Sequence, residues 1–216
     1  MYNLKFDLAL NRKENVIYKN VKIDFKNGDI INIVGKNGCG KCTFYKMLTG
    51  KVKPENGIIS SAITDNTAVV SDCVSLPREV LIKDIFKLMG NNKVKYVNQT
   101  YPDIYEYILQ IKHKGVRNLS ISEQRILEIF CALSTQKGIL ALYEIENGLD
   151  SENKKLITDQ LRLISNKNKA VIFNTTQCIE DAFALGGRIY IMNKEKALFK
   201  EYIHENCIND SDGGVL

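Results

Sequence analysis

Residues 35–43 read Gly35-Lys36-Asn37-Gly38-Cys39-Gly40-Lys41-Cys42-Thr43, which is the spacing of a phosphate-binding loop. An apolar run at 30–34 precedes this loop, and a helical pattern of apolar residues follows it. A glycine-rich loop turns backbone N–H groups toward an anion, and the following helix adds its positive N-terminal end. Lys41 is placed to reach the β and γ phosphates of a nucleotide. We therefore predict that all nine residues bind a nucleoside triphosphate.

One position in this loop departs from the usual pattern. The residue after the loop lysine is normally Ser or Thr, whose hydroxyl oxygen ligates Mg²⁺, and here it is Cys42. Sulfur suits Zn²⁺ or Cu⁺ better than Mg²⁺, so we expect weak Mg²⁺ binding. Cys39 and Cys42 also form a Cys-x-x-Cys pair of the thioredoxin-like redox type. We favour the phosphate loop over this alternative because the glycines and Lys41 all have its spacing.

Composition indicates one cytosolic domain. The chain has 216 residues, of which 44% are hydrophobic and 25% charged, and this is enough for a full core. The net charge of +5 lies in short lysine-rich pieces without interleaved aromatics, so we expect no nucleic-acid partner. No apolar run approaches the ~20 residues of a membrane span, and the N-terminus lacks a signal-peptide pattern. The six cysteines are expected to be free thiols.

The apolar pattern predicts an α/β protein that begins with an antiparallel β segment. A turn at 26–29 separates two early strands from the strand before the loop. Residues from about 78 to 133 lack clear strands and contain apolar residues at helical spacing. Helical stretches separate the later apolar runs, as in a parallel sheet with crossover helices. The predicted strands are 4–10, 21–25, 30–34, 58–59, 68–70, 139–142, 170–173 and 189–192.

Four stretches give the chain a specific resemblance to a known family. They are GDIINIV at 28–34, KPENGII at 53–59, NGLD at 147–150 and RIYIMNK at 188–194. With the loop, they resemble the ATP-binding cassette (ABC) family, the nucleotide-binding subunits of ABC transporters. The resemblance implies a P-loop NTPase fold of ABC type, in which a mostly parallel sheet carries an N-terminal antiparallel β subdomain and a helical subdomain. The whole chain, 1–216, is expected to be one such domain, with the helical subdomain at about 78–133.

The resemblance also implies roles for residues at the end of the strand 139–142. Counting back from Asp150, the family has Asp then Glu where this chain has Tyr143 then Glu144. In the family the Asp holds Mg²⁺ through water and the Glu activates the attacking water. We expect Glu144 to be the catalytic base. A phenol cannot replace the Asp carboxylate as a partner of Mg²⁺, so Tyr143 is expected to pack under the loop.

Three further positions follow from the same register. Asp72 stands where the family has the Q-loop glutamine, and we predict it as a candidate metal ligand. Gln177 stands at the switch histidine; its amide can donate a hydrogen bond to a γ-phosphate but cannot shuttle a proton. Ser120 is the remaining phosphate donor of the signature sequence, whose two glycines are replaced by Ile121 and Ser122.

An aromatic residue that stacks on adenine is expected near position 10 in the family, but Leu8 and Leu10 lie there. Base affinity should therefore be reduced. The resemblance implies an ATP-binding subunit at the cytosolic face of a membrane-spanning partner, which pairs with a second cassette as a homodimer or heterodimer. The loss of both metal anchors and the switch residue predicts weak or absent hydrolysis.

Two other functions stay open at this point. The chain could be a fully active ATPase whose metal ligands are re-sited to Glu144, Asp72 and Glu146. It could also be a nucleotide-dependent sensor or scaffold outside transport. In this family the membrane subunits choose the cargo, so the sequence of the cassette identifies neither the substrate nor the direction of transport.

Overall fold

The strands fall into two sheets in the computed structural model, which describes residues 2–8, 18–71 and 76–202. The smaller sheet is antiparallel, in the order β2-β1-β4, and consists of β1 (Tyr2–Leu8), β2 (Tyr18–Phe25) and β4 (Asn56–Ile58). The larger sheet has the order β5-β6-β7-β3-β8-β9. Its strands are β3 (Ile30–Val34), β5 (Thr67–Ser71), β6 (Ile139–Tyr143), β7 (Val171–Thr176), β8 (Arg188–Asn193) and β9 (Leu198–Tyr202).

The pairs within the larger sheet are parallel except for β8 with β9. Helices connect the parallel strands, and β5 is followed by four helices, α3 to α6, with no named strand among the described residues 82–133. The helices are α1 (Lys41–Leu48), α2 (Ser61–Thr64), α3 (Ile82–Met89), α4 (Asn91–Thr100), α5 (Pro102–Ile111), α6 (Ile121–Leu133), α7 (Ser151–Asn168) and α8 (Ile179–Leu185). A 3-10 turn at Val116–Asn118 precedes α6.

Each face of the larger sheet is covered by its own hydrophobic core. Ile31 and Ile33 of β3 and Phe173 of β7 pack in a core shared with α1 and the antiparallel sheet. Ile172, the neighbour of Phe173, packs in the other core together with α6 and α7. Adjacent residues of a strand point to opposite faces. Strands covered on both faces are expected to be apolar throughout, which explains why the sequence presents them as short continuous apolar runs.

The parallel register places three loops side by side at one edge. Val34 pairs with Thr176, and Tyr143 pairs with Thr175, so β3, β6 and β7 end at nearly the same level. The phosphate loop follows β3, Glu144 follows β6 and Gln177 follows β7. In parallel α/β sheets, ligands bind in the crevice outside the carboxyl ends of the strands. The fold therefore brings residues distant in sequence to one edge.

Candidate nucleotide-binding site

The loop 35–43 has a backbone shape that depends on its glycines. Gly38 and Gly40 have φ of 77° and 119°, in the left-handed region that side chains disfavour. A Cβ at Gly35 would lie 2.4 Å from the Met192 carbonyl oxygen. The Tyr18 hydroxyl donates a hydrogen bond of 2.7 Å to the Cys39 carbonyl oxygen, which ties the loop to β2. Local geometry and tertiary contacts thus fix the backbone shape of the loop.

Lys41 begins α1 and is buried, with 3% of its surface exposed. Its Nζ donates hydrogen bonds to the carbonyl oxygens of Gly35, at 2.5 Å, and Lys36, at 3.1 Å. The same nitrogen lies 3.2 Å from Oε1 of Glu144, an ion pair between two buried side chains. The contact is a charge pair without hydrogen-bond geometry at Oε1. The Lys41 side chain is therefore folded back across its own loop, and the predicted catalytic carboxylate of Glu144 balances its positive charge.

Glu144 sits in a strained position at the end of β6. Its φ is 48°, and its backbone N–H donates to the Thr175 carbonyl oxygen at 2.9 Å. Its Oε2 accepts hydrogen bonds from Asn147 Nδ2 at 3.1 Å and from Gln177 Nε2 at 3.3 Å. The structure thus brings together Lys41, Glu144 and Gln177. Strained backbone of this kind is concentrated at functional sites.

The two residues at the predicted metal positions, Cys42 and Tyr143, are a thiol and a phenol rather than the oxygen ligands that Mg²⁺ prefers. Cys42 is half-buried in the first turn of α1. The Tyr143 ring lies against Tyr45 of α1, with centroids 5.6 Å apart and an interplanar angle of 57°. No cluster of three His, Cys, Asp or Glu side chains that could hold a metal occurs in the described part of the chain. A thiol and a phenol do not fit Mg²⁺. Asp72 lies outside the described residues.

Cys39 does not have the features of a reactive thiol. Cys39 is 3% exposed, and burial raises the pKa of its thiol above the usual range. Reactive cysteines are instead partly exposed thiols of lowered pKa. Cys39 and Cys42 are both free thiols. These observations favour the phosphate-loop interpretation of residues 35–43.

Ser120 caps the N-terminus of α6 rather than reaching the loop. Its Oγ accepts from the Glu123 backbone N–H at 3.2 Å, and its own N–H donates to Glu123 Oε2 at 2.9 Å, which is a capping box. Its hydrogen bonds within the described chain go to its own helix start. Ile121 beside it is 53% exposed. A Cβ at Gly148 would lie 3.5 Å from Ile121 Cδ1, so the signature and the NGLD loop are neighbours.

A buried polar network beneath the site was missed by sequence reasoning. Asn174 Nδ2 donates to Glu146 Oε1 at 3.0 Å and to Asn32 Oδ1 at 3.2 Å. Both asparagines are fully buried, and burial raises the pKa of Glu146 to about 7. The signals for it were Asn32 in the middle of an apolar strand and Asn174 directly after the apolar run 170–173. Glu146 is therefore part of the core, which does not favour its use as a re-sited metal ligand.

A cavity of about 320 Å³ adjoins the loop on the side of β8. One wall is formed by residues 34–39 and the other by residues 191–195, at the end of β8 and the start of the turn to β9. Sequence reasoning gave no indication of this cavity, because its walls are far apart along the chain.

The sequence model of the ABC transporter family matches residues 18–147, which include the loop, the signature position and Glu144. The chain belongs to the ABC transporter family. A molybdate import ATP-binding protein, MolC, of Haemophilus influenzae is 26% identical over 201 residues, covering 87% of this chain and 77% of that protein. A probable peptide export ATP-binding protein, YydI, of Bacillus subtilis is also 26% identical, covering 87% of this chain and 89% of that protein.

Solved structures of ABC proteins have the same fold. An inward-facing structure of a putative metal-chelate type ABC transporter superposes with a TM-score of 0.75 at 18% identity, covering 95% of this ABC chain and 84% of that one. The ATP binding subunit of another ABC transporter gives 0.76 at 15% identity, with coverages of 95% and 91%. The predicted α/β fold of ABC type is confirmed. Among the described residues, no helix has the length and apolarity required to span a membrane.

Proposed function

We propose that this ABC protein is the ATP-binding subunit of a transporter, that it binds ATP at residues 35–43, and that it hydrolyses ATP weakly or not at all. The observation that carries the proposal is the buried pair of Lys41 and Glu144, whose neighbours in sequence at the two metal positions are Cys42 and Tyr143. The lysine and the base are present, while both protein anchors of the metal are replaced. Relatives named as ATP-binding proteins for import and for export support the role in transport.

The loop has the groups that nucleotide phosphates require. Its backbone amides and the N-terminus of α1 favour negative charge. Lys41 would leave the carbonyl oxygens of Gly35 and Lys36 and contact the phosphates instead. Gln177, exposed at the end of β7, would donate a hydrogen bond from its amide N–H to the γ-phosphate. Each of these contacts depends only on side chains and amides of this chain.

Hydrolysis would be slow because its catalytic groups are incomplete. A missing preorganised contact costs about 100- to 1000-fold in rate. Two metal positions and the switch position carry other residues, so turnover at a site built on this loop should approach background. Glu144 alone, held by Lys41, Asn147 and Gln177, does not replace them. The proposed work of the chain is therefore binding that supports a competent partner.

The partner arrangement is part of the same proposal. We place the whole chain, 1–216, as one cassette with its helical subdomain at about 78–133, at the cytosolic face of a membrane-spanning subunit. A second cassette, identical or different, would complete each site with its own signature sequence. Ser120 would then face the nucleotide bound by the partner cassette, since it lies beside the exposed NGLD loop and not at its own loop 35–43.

Calorimetric titration of the purified chain with ATP, together with phosphate release, tests the proposal. We expect measurable ATP binding and negligible turnover. Lys41→Ala should abolish binding and leave the phosphate-release rate unchanged, whereas Lys46→Ala, an exposed lysine of the same helix, should retain binding. A turnover of about one per second or more, in the range of ordinary enzymes, would contradict the proposal and favour re-sited metal ligands.

A further inference from the structure

Cys42 is a half-buried thiol in the first turn of α1, within the phosphate loop. Residues three and four apart on a helix are neighbours, so Cys42 and Lys41 both lie on the side of α1 that carries Tyr45. Lys41 contacts Glu144, which follows β6. The Tyr45 ring packs on Tyr143, the last residue of β6. The side of α1 that carries Cys42 is therefore turned toward the end of β6.

A carboxylate oxygen without a hydrogen-bond partner lies in the same site. Glu144 is 8% exposed, and its Oε1 accepts no hydrogen bond from the described residues. The Lys41 ammonium group, 3.2 Å from this oxygen, balances its charge. When Lys41 contacts the phosphates of ATP instead, as proposed above, the buried carboxylate loses that balance. A buried charge without a partner is costly, so the site with ATP bound favours entry of another cation.

The donors at this point do not suit Mg²⁺. Mg²⁺ requires near-octahedral coordination by oxygen, whereas Cys42 supplies sulfur. Zn²⁺ is bound in proteins by thiolate sulfur and by carboxylate oxygen, and Cd²⁺ shares the preference for sulfur. Cys42 and Glu144 are too few to hold a metal alone, and no cluster of three such side chains occurs in the part of the chain described. Oxygens of the β- and γ-phosphates would have to complete the coordination.

We propose that the site takes ATP together with a thiophilic divalent cation, of the chemical class of Zn²⁺, rather than with Mg²⁺, and that Cys42 selects this cation. The sulfur would bind as a thiolate, and its proton would be released to solvent. Glu144 and the phosphates would supply oxygen ligands. This inference rests on the proposed function, since the nucleotide is the same, and it adds which cation accompanies it. Cation and ATP should each raise the affinity for the other by the same factor.

The test compares ATP affinity in excess Mg²⁺, Zn²⁺ or Cd²⁺ and in excess EDTA, with a reductant that contains no thiol. Calorimetric titrations are made with the unmodified chain, Cys42→Ser and Cys178→Ser. Cys178→Ser removes another half-buried thiol and is the matched control. The ultraviolet charge-transfer absorption of a cadmium–thiolate bond is recorded for each chain with Cd²⁺ alone and with Cd²⁺ and ATP. Thermal melting reports whether each variant retains the fold.

We expect Zn²⁺ and Cd²⁺ to tighten ATP binding by the unmodified chain more than Mg²⁺ does. Cys42→Ser should lower the ATP affinity in Zn²⁺ or Cd²⁺ at least about tenfold, since even the loss of a residue that supports a metal ligand costs about 10- to 100-fold in metal affinity. Cys178→Ser should leave it unchanged. ATP should add cadmium–thiolate absorption in the unmodified chain and in Cys178→Ser, and none in Cys42→Ser. A merely structural role of Cys42 would not produce this absorption.

Equal ATP affinity in the three cations, or a Zn²⁺ effect that persists in Cys42→Ser, would overturn this inference while leaving ATP binding by the loop intact. Cadmium–thiolate absorption that does not depend on ATP would also overturn it, because the cation would then be held by other thiols. Absence of ATP binding in every cation and in EDTA would instead overturn the proposed function.

Discussion

At the scale of single residues, the chemistry of the site is decided by a few substitutions. Cys42 differs from serine by one atom, yet sulfur in place of oxygen removes a ligand suited to Mg²⁺. Tyr143 replaces a carboxylate by a ring that packs on Tyr45. The spacing of the loop and the family register allowed these residues to be predicted from sequence. The 3.2 Å contact of Lys41 with Glu144 could not be, because it depends on the relative placement of two strands.

The first prediction at this scale concerns the metal positions. Cys42→Ser and Tyr143→Asp together should raise the Mg²⁺-dependent affinity for ATP. The two changes should be more than additive, because both new ligands serve one ion and either alone leaves its coordination incomplete. ATP titration with and without Mg²⁺ across the two single variants and the double variant measures this coupling.

Cys178→Ser, which alters a half-buried thiol in the loop before α8, is the control and should leave the Mg²⁺ dependence unchanged. If Mg²⁺ already tightens ATP binding tenfold or more in the unmodified chain, about 1.4 kcal/mol, a carboxylate elsewhere holds the ion. Asp72 would then be the first candidate, and our account of the metal positions would be wrong.

At the scale of elements, the apolar runs located the strands because the larger sheet is covered on both faces. The same reasoning overlooked Asn32, because a hydrophobic pattern treats a polar residue within a strand as an interruption, and Asn174, because it lies just beyond the apolar run 170–173. These residues join β3 and β7 to the loop that carries Glu146. Buried polar groups are tolerated only when they are hydrogen-bonded. The three hydrogen-bonded residues, Asn32, Asn174 and Glu146, lie in separate segments of the chain, so no local sequence pattern reveals the network.

Glu146 makes the stability of this assembly depend on pH. Burial raises its pKa from 4.5 to about 7, and the nearby charge of Asp181 also raises it. The hydrogen bonds of Glu146 and the charge of Lys154 lower the pKa by smaller amounts. Between these values the folded state holds a proton that the unfolded state has lost. The contribution of Glu146 to stability therefore falls as pH rises from about 4.5 to 7 and stays low above it.

We predict that Glu146→Gln removes this dependence, since glutamine keeps an oxygen that can accept from Asn174. At pH 8 the variant should be more stable than the unmodified chain by up to about 3 kcal/mol, the free-energy equivalent of the pKa difference. Below pH 4.5 the advantage should vanish. Chemical denaturation from pH 4 to 8.5 measures the difference. Glu106→Gln, an exposed site on α5, is the control: its free energy of unfolding should differ from that of the unmodified chain by the same amount at every pH. If the difference for Glu146→Gln were equally independent of pH, Glu146 would not titrate as described.

At the scale of the whole molecule, the family resemblance identified the architecture from four short stretches and the loop, and the solved structures share that fold. Those stretches carry the turns and strand ends that the fold requires. The surface that we propose to meet a second cassette is harder to predict from the sequence, because single substitutions change it without altering the fold. Ile121 is the main example: it is 53% exposed and lies against the NGLD loop.

The last prediction concerns assembly. Glycines in the signature allow the backbone to approach a phosphate closely, and in the proposed assembly the exposed Ile121 side chain would stand in the way of that approach. The chain alone should therefore remain monomeric with ATP, and Ile121→Gly with Ser122→Gly should promote an ATP-dependent dimer. The helix start would lose about 1 kcal/mol per glycine, but the capping box of Ser120 and Glu123 remains.

Sedimentation velocity with and without ATP measures the dimer. Leu88→Gly, which removes another exposed apolar side chain, on α3, controls for a general loss of surface hydrophobicity and should not dimerise with ATP. An ATP-dependent dimer of the unmodified chain would contradict the prediction, since Ile121 would then be compatible with a closed interface. If the double variant dimerises and the unmodified chain does not, the natural partner must be a cassette whose own loop accommodates Ile121, which favours a heterodimer.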